Sequence, residues 1–216
     1  MPNNNIQHTP EPLWKQALSP ILGLRSLGVF GGTFDPVHTG HLLLAERACD
    51  ELGLEGVLFV PAKKPPHKLQ GVNISPAADR LAMLQLAVSD NSRFFVSDLE
   101  LQREGVSFTV TTLQQLHEAL PDTALTLLIG GDNARDFFSW WQPEMIAQLA
   151  EIAVWLRPGF QAPPELLPGI TYRIIAAPLM EISGTELRGR IRAGRSVRYM
   201  TTDSVIHYIN THGLYQ

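Results

Sequence analysis

Ser26-Leu27-Gly28-Val29-Phe30-Gly31-Gly32-Thr33-Phe34-Asp35-Pro36-Val37-His38-Thr39-Gly40-His41 is the stretch on which the fold of this chain turns. Its opening, Ser26 to Phe30, is short and apolar. Directly behind it, Leu42, Ala45, Cys49 and Leu52 repeat at helical spacing, as one buried helix face does. The order is therefore strand, glycine turn, helix. Backbone N–H groups at such a helix start have no partner inside the helix, and the aligned peptide dipoles favour negative charge there. Gly31 and Gly32 let a phosphate come close to the backbone. His38 and His41 are three residues apart, so a helix beginning near His38 puts both imidazoles on one face of its first turn. Two donors aimed at one point suit a phosphoryl group that gains charge in a transition state. On spacing alone, a lone histidine at a helix start is more often a cap or a surface residue than a catalyst. Neither G-x-G-x-x-G nor G-K-[ST] is present, which sets aside the dinucleotide fingerprint and the P-loop.

The chain has 216 residues, 44% hydrophobic and 18% charged, enough to bury a sizeable core. No low-complexity linker or internal repeat divides it. Residues 25–216 read as a single domain and 1–24, with three consecutive Asn and several Pro, as a peripheral extension. A net charge of −4 argues against broad binding to nucleic acid, which needs many exposed cations. Five of the 17 basic residues, Arg188, Arg190, Arg192, Arg195 and Arg198, crowd one short window; they read as a solvated helix face or as a clamp for a small polyanion. Cys49 is alone, so the chain forms no disulfide within itself and no cysteine-rich metal site. No signal-peptide pattern opens the chain and no apolar run approaches the roughly 18 residues of a membrane span, so a cytoplasmic setting without membrane contact is expected.

Further along, Gly56–Val60, Phe94–Ser97, Ala124–Ile129, Ile152–Leu156 and Tyr172–Ala176 read as strands. Helical patterns lie between most of them: from Ser75 or Pro76 through Val88, from Ser107 or Thr109 to Leu120, and, after the last strand, from Ser183 and from Thr202. Such alternation predicts an α/β, Rossmann-like open sheet, mainly parallel, with helices on both faces. Ligands in these sheets sit beyond the carboxyl ends of the strands. A second glycine turn, Gly130-Gly131-Asp132, ends one strand and would meet the first if the two strands are neighbours; Asp132 could cap the helix after it. Pro65-Pro66-His67-Lys68 reads as a stiff basic loop. In Phe137-Phe138-Ser139-Trp140-Trp141, helical spacing would turn Phe137 and Trp141 inward together and leave Trp140 elsewhere. Ser183 with Glu186 fits a capping box, and the same geometry supplies hydroxyls from Ser183 and Thr185 at a helix start, with Arg188 one turn on.

Gly31 to His41 resembles the G-x-F-D-P-x-H-x-G-H signature of adenylyltransferases in the nucleotidyltransferase superfamily, and Ile182 to Arg188 resembles the I-S-S-T-x-x-R motif that accompanies it, with Gly184 in place of the second Ser. The basic loop is similar to the P-P-H-K loop of the nicotinate-nucleotide adenylyltransferases, and Ser107-Phe108-Thr109 to their S-Y-T, although Phe108 replaces the Tyr and Thr111 stands where Asp is usual. With the closing Leu214-Tyr215, the resemblance spans about residues 27 to 215. It implies transfer of the adenylyl group of ATP to nicotinate mononucleotide, giving nicotinate adenine dinucleotide and pyrophosphate. It implies that His38, His41 and Arg188 are catalytic. ATP would be held by Gly31, Gly32, Thr33, Phe34, Gly130, Asp132, Ser183, Thr185 and Arg188, and the mononucleotide by His67, Lys68, Thr109 and Trp140. Mg²⁺ would travel with the nucleotide, since it binds substrate phosphates more readily than an all-protein cage and no carboxylate cluster is evident in the sequence. The alternatives are an adenylyltransferase for nicotinamide mononucleotide or phosphopantetheine, or a nucleotide-binding sensor without turnover.

Overall fold

A computed structural model describes residues 13–65, 74–156, 166, 168–176 and 181–216. Six strands, β1 (Ser26–Gly32), β2 (Gly56–Pro61), β3 (Phe94–Val96), β4 (Ala124–Gly130), β5 (Glu151–Trp155) and β6 (Arg173–Ile175), form one sheet in the order β3-β2-β1-β4-β5-β6. Every pairing is parallel. The sequence expectation of a mainly parallel sheet thus falls slightly short of what forms. All six strands occupy the apolar runs that predicted them.

Strand residues alternate between two cores because side chains on a strand point to opposite faces in turn. Leu27, Val29, Leu58, Val60, Leu127 and Ile129 enter one core with Val110, Leu113 and Leu116 of α5 (Thr109–Ala119) and Ile146 of α7 (Pro143–Leu149). Phe30, Val57, Phe59 and Leu128 enter the other. Their partners there are Leu44, Ala45 and Cys49 of α2 (Thr39–Leu52), Met83 and Leu84 of α3 (Ala77–Val88), and Val205 and Ile209 of α9 (Asp203–His212). Burial pushes the Cys49 thiol up to about 11, which suits packing rather than reactivity. The remaining helices are short: α1 (Leu13–Gln16), α4 (Leu99–Gln102), α6 (Gly131–Arg135) and α8 (Gly184–Arg192).

Three local readings need correction. Residues 1–24 were expected outside the core; Leu18 and Ile21 instead sit fully inside the first core, while residues 1–12 lie outside the described ones. The N-cap of α5 is Phe108, with no side-chain bond, rather than Ser107 or Thr109, because the Ser107 hydroxyl accepts from the Lys63 and Lys64 backbone at 3.0 and 3.3 Å. Asp132 does not cap α6: Gly130 is the N-cap, and Asp132 lies in the first turn, paired with Arg135 at 3.1 Å. Among the described residues no helix is long and apolar enough to cross a membrane.

Candidate active site

β1 and β4 are neighbours, paired from Ser26 with Ala124 to Val29 with Leu127, so the two glycine turns do lie side by side at the carboxyl ends of adjacent strands. That is where the strand order reverses direction, and where open α/β sheets bind their ligands. A cavity of about 620 Å³ opens there. Its wall includes Gly31, Gly32 and Thr33 from the first turn, Thr109 from α5, Asp132 from the second turn, and Trp140. A Cβ at Gly31 would meet nothing within 4 Å, so the backbone there stands open to the cavity. Gly32 is different: a Cβ would lie 2.8 Å from the ring of Phe34, which packs across the turn with φ of 49°. The glycine lets that buried ring close down on the strand end.

Around the corner of the same turn lie the histidines. α2 begins at Thr39 with His38 as its N-cap. The His38 backbone N–H donates to Nδ1 of His41 at 3.2 Å, and the two rings stack with centroids 3.6 Å apart. Because Nδ1 of His41 accepts, the proton of the neutral ring belongs on Nε2, which makes that nitrogen a donor facing away from the helix start. Phe34 packs edge-on against the His41 ring at 5.0 Å, and Phe30 lies at 5.8 Å, so its position is fixed from the core side. The other end of the chain secures the turn. Thr39 N–H donates to the Met200 carbonyl at 2.9 Å, Thr39 Oγ1 to the Tyr199 carbonyl at 3.0 Å, and Thr201 Oγ1 to the Val37 carbonyl at 2.9 Å.

α8 brings the second motif to the same turn. Ser183 is its N-cap and accepts from the Glu186 N–H at 3.2 Å, the capping bond the sequence implied. Arg188 donates from Nη1 to the Asp35 carbonyl at 2.6 Å and from Nη2 to Thr185 Oγ1 at 3.2 Å. A Cβ at Gly184 would sit 2.8 Å from the Asp35 carbonyl oxygen, so a glycine at this place in the motif lets the helix start rest directly on the turn. Arg188 is the member of the arginine cluster that reaches this turn. Arg190 donates to the Ser196 carbonyl at 2.9 Å, and Arg198 faces Asp203 at 4.0 Å.

Beneath the turn is a polar hub that the sequence reading passed over. Asp35 is buried; its carboxylate accepts from the Tyr215 hydroxyl at 2.6 Å and the Ser75 N–H at 3.3 Å, with Arg188 Nη1 at 3.9 Å. Arg80, only 1% exposed, donates from Nη1 to the Thr33 carbonyl at 2.7 Å and from Nε to the Ser75 carbonyl at 3.1 Å. Burial lowers the guanidinium's affinity for its proton, and the nearby Asp35 opposes that shift. The hydroxyl of Tyr215 is pushed up by burial and by its bond to Asp35, so it stays protonated and donates. Asp35 and Tyr215 were in view as parts of the signature and of the closing pattern; nothing in their spacing announced that they touch.

The expected residues therefore fall into two groups joined by the turn. Gly31, Gly32, Thr33, Thr109, Asp132 and Trp140 line the cavity. Phe34, His38, His41, Ser183, Thr185 and Arg188 gather around the far side of the turn rather than in the cavity wall. Gly130 faces Trp155, whose ring would lie 3.7 Å from a Cβ there, and Trp155 in turn packs edge-on to Phe30. His67 and Lys68 lie outside the described residues. The aromatic run differs from its helical reading: Phe137–Ser139 is a single 3-10 turn and Trp140 is extended. Phe137 is fully buried, Trp140 packs against it at 5.4 Å, and Trp141 is 58% exposed near Phe108 instead of turned inward with Phe137.

The family model described as cytidylyltransferase-like matches residues 29–190. The chain is 41% identical over 202 residues to a protein of Desulfitobacterium hafniense, an alignment covering 89% of this chain and 96% of that one. It is 43% identical over 190 residues to a protein of Thermus thermophilus, covering 88% and 99%. Both carry the name probable nicotinate-nucleotide adenylyltransferase. Among solved structures, the nicotinic acid mononucleotide adenylyltransferase of Plasmodium falciparum, complexed with NaAD, superposes with a TM-score of 0.75 at 20% identity, covering 88% of this chain and 97% of that one. That likeness carries the fold; the two bacterial relatives carry the kinship, and the chain belongs to the nicotinate-nucleotide adenylyltransferase family of nucleotidyltransferases.

Proposed function

We propose that this chain transfers the adenylyl group of ATP to nicotinate mononucleotide, releasing nicotinate adenine dinucleotide and pyrophosphate, a step of NAD biosynthesis. The observation that carries this reading is the meeting of two helix starts, His38 to His41 and Ser183 to Arg188, at one turn that also borders a cavity large enough for a nucleotide. The P. falciparum relative's structure with NaAD supports the same choice of dinucleotide.

A 5′-phosphate oxygen of the mononucleotide attacks the α-phosphorus of ATP in line, and the bond from that phosphorus to the bridging oxygen breaks as pyrophosphate leaves. A phosphate monoester is already anionic at neutral pH, so the chain has no nucleophile to activate. Its work is positioning and charge stabilisation. His41, donating from Nε2, and His38 bind the triphosphate where charge develops, above the backbone of Gly31 to Phe34. Ser183, Thr185 and Arg188 hold the departing phosphates, with Gly130 and Asp132 toward the nucleotide's ribose. Thr109 and Trp140 receive the pyridine end of the mononucleotide, with His67 and Lys68 at its phosphate. Among the described residues no group of three or more His, Cys, Asp or Glu is placed to hold a metal. Mg²⁺ would be carried on ATP, where it neutralises phosphate charge.

Thr109→Ala and Trp140→Ala are expected to raise KM for the mononucleotide by about tenfold with little change in kcat, the signature of lost uniform binding. A fall in kcat with KM unchanged would move both residues out of the acceptor pocket. The reaction itself is tested with ATP labelled at the α-phosphate and, separately, at the γ-phosphate. The reading expects the first label in the dinucleotide and the second in pyrophosphate; γ-label in the organic product would overturn it.

A further inference from the structure

Glu100, on α4, lines the acceptor cavity and yet is only 7% exposed. The proposed chemistry does not use it. Thr112 Oγ1 donates to Glu100 Oε1 at 2.5 Å and accepts from Arg103 Nη2 at 3.2 Å. Ser107 lies beside the carboxylate and opposes the rise in its pKa, while its oxygen accepts from the backbone N–H groups of Lys63 and Lys64 at 3.0 and 3.3 Å. A hydroxyl has one proton to give. The Thr112 hydroxyl, which accepts from Arg103, has Glu100 Oε1 at 2.5 Å and the Phe108 carbonyl at 3.4 Å as acceptors, so its proton goes to the nearer carboxylate oxygen.

Glu100 is tied to the first turn of α5 through Thr112, and Ser107 ties the start of that helix to the Lys63–Lys64 backbone. Lys63 and Lys64 lead to Pro65, which lines the cavity. The Ser107 N–H donates to the Lys64 carbonyl at 3.1 Å, and the Lys63 ammonium to the Arg103 carbonyl at 3.0 Å, which close the connection from the loop to α4 and to the start of α5. Phe108 and Thr109, at that start, face the cavity.

We propose that Glu100 is a positioning residue for the acceptor: through Thr112 it holds the first turn of α5, and with it the Lys63 to Pro65 segment fastened to Ser107, where the mononucleotide is received. The inference rests on the acceptor reading given above. The arrangement comes at a cost to the fold. Burial raises the Glu100 carboxyl above its ordinary range, against the opposing bonds from Thr112 and Ser107 and the charge of Arg103. A carboxyl raised in the folded state favours folding in acid and loses that contribution as pH climbs through its folded value. Ionising it in the folded state therefore opposes folding, and a neutral side chain of the same shape relieves that burden.

Glu100→Gln places an NH₂ against hydroxyls that are already receiving protons, or against Arg103. The test compares the unsubstituted enzyme with Glu100→Gln, Ser107→Ala and the double variant, measuring kcat, KM for each substrate and the melting temperature. KM for the mononucleotide should rise about tenfold in each single variant, the effect of one hydrogen bond to a charged group. KM for ATP and kcat should stay within about twofold, and Glu100→Gln should melt no lower than the unsubstituted enzyme. The double variant should be no worse than the worse single one, because both loosen the same support at the start of α5. An unchanged mononucleotide KM, or a parallel loss of kcat, both KM values and melting temperature, would overturn the proposal. Should Glu100→Gln fail to fold, the KM split in Ser107→Ala decides. Absence of turnover of nicotinate mononucleotide by the unsubstituted enzyme would instead sink the acceptor reading, and this inference with it.

Discussion

His41→Ala is expected to lower kcat by about 10²–10³ in a protein that remains folded, the usual cost of removing one donor to developing charge in a water-excluded site. The hydrogen bond that His41 accepts sets the direction of the one it donates. Its Nδ1 takes the His38 N–H at 3.2 Å, which leaves Nε2 as the donor and fixes the direction in which it donates. Phe34 and Phe30 hold the ring from behind. An alanine removes the donor and frees one backbone N–H at the helix start, worth about 1 kcal/mol of stability, far too little to unfold the domain. The loss should therefore appear in kcat and kcat/KM alike, with a melting curve close to the parent's. An unchanged kcat in the folded variant would remove His41 from the chemistry and leave it as a cap.

Asp35→Ala is expected to destabilise the fold by about 3–5 kcal/mol, the range for breaking a buried ionic contact and leaving the opposite charge behind. Arg80 is buried near this carboxylate, whose charge offsets part of the cost of burying the guanidinium. Removing Asp35 also strips the Tyr215 hydroxyl and the Ser75 N–H of their acceptor. Denaturant unfolding checks this: the midpoint should fall with the slope unchanged. Tyr215→Phe should cost only about 1 kcal/mol, because Asp35 then keeps its other partners. A loss below about 1 kcal/mol for Asp35→Ala would mean that the hub contributes no net stability.

The sheet was legible because its evidence is local. Each strand is a short apolar run, and the alternation Leu27, Val29 against Gly28, Phe30 needs no tertiary information to be read. Whether β1 lies beside β4 stayed open in the sequence, because pairing is a tertiary fact; the pairing of Val29 with Leu127 shows that it does. The stacked His38 and His41 came from their spacing on a helix start. What escaped was long-range. Asp35 and Tyr215 are 180 positions apart, and Arg80 donates to Thr33 across 47. A lone Arg80 in an apolar helix reads as a surface or a support residue, and only its buried partners decide for support. The aromatic run misled for a different reason: helical periodicity was applied to a single 3-10 turn, whose geometry sends Trp141 outward. Ser107 looked like a cap because capping is local, whereas its partners, Lys63 and Lys64, arrive from another strand end.

The most direct test of the account is pyrophosphate release with Mg²⁺ and ATP, run in parallel with nicotinate mononucleotide, nicotinamide mononucleotide and phosphopantetheine, and compared as kcat/KM. The account predicts strong preference for nicotinate mononucleotide. Equal or better turnover of either other acceptor would contradict the assignment of the cavity, and ATP binding without turnover of any of the three would contradict the assignment of an enzyme.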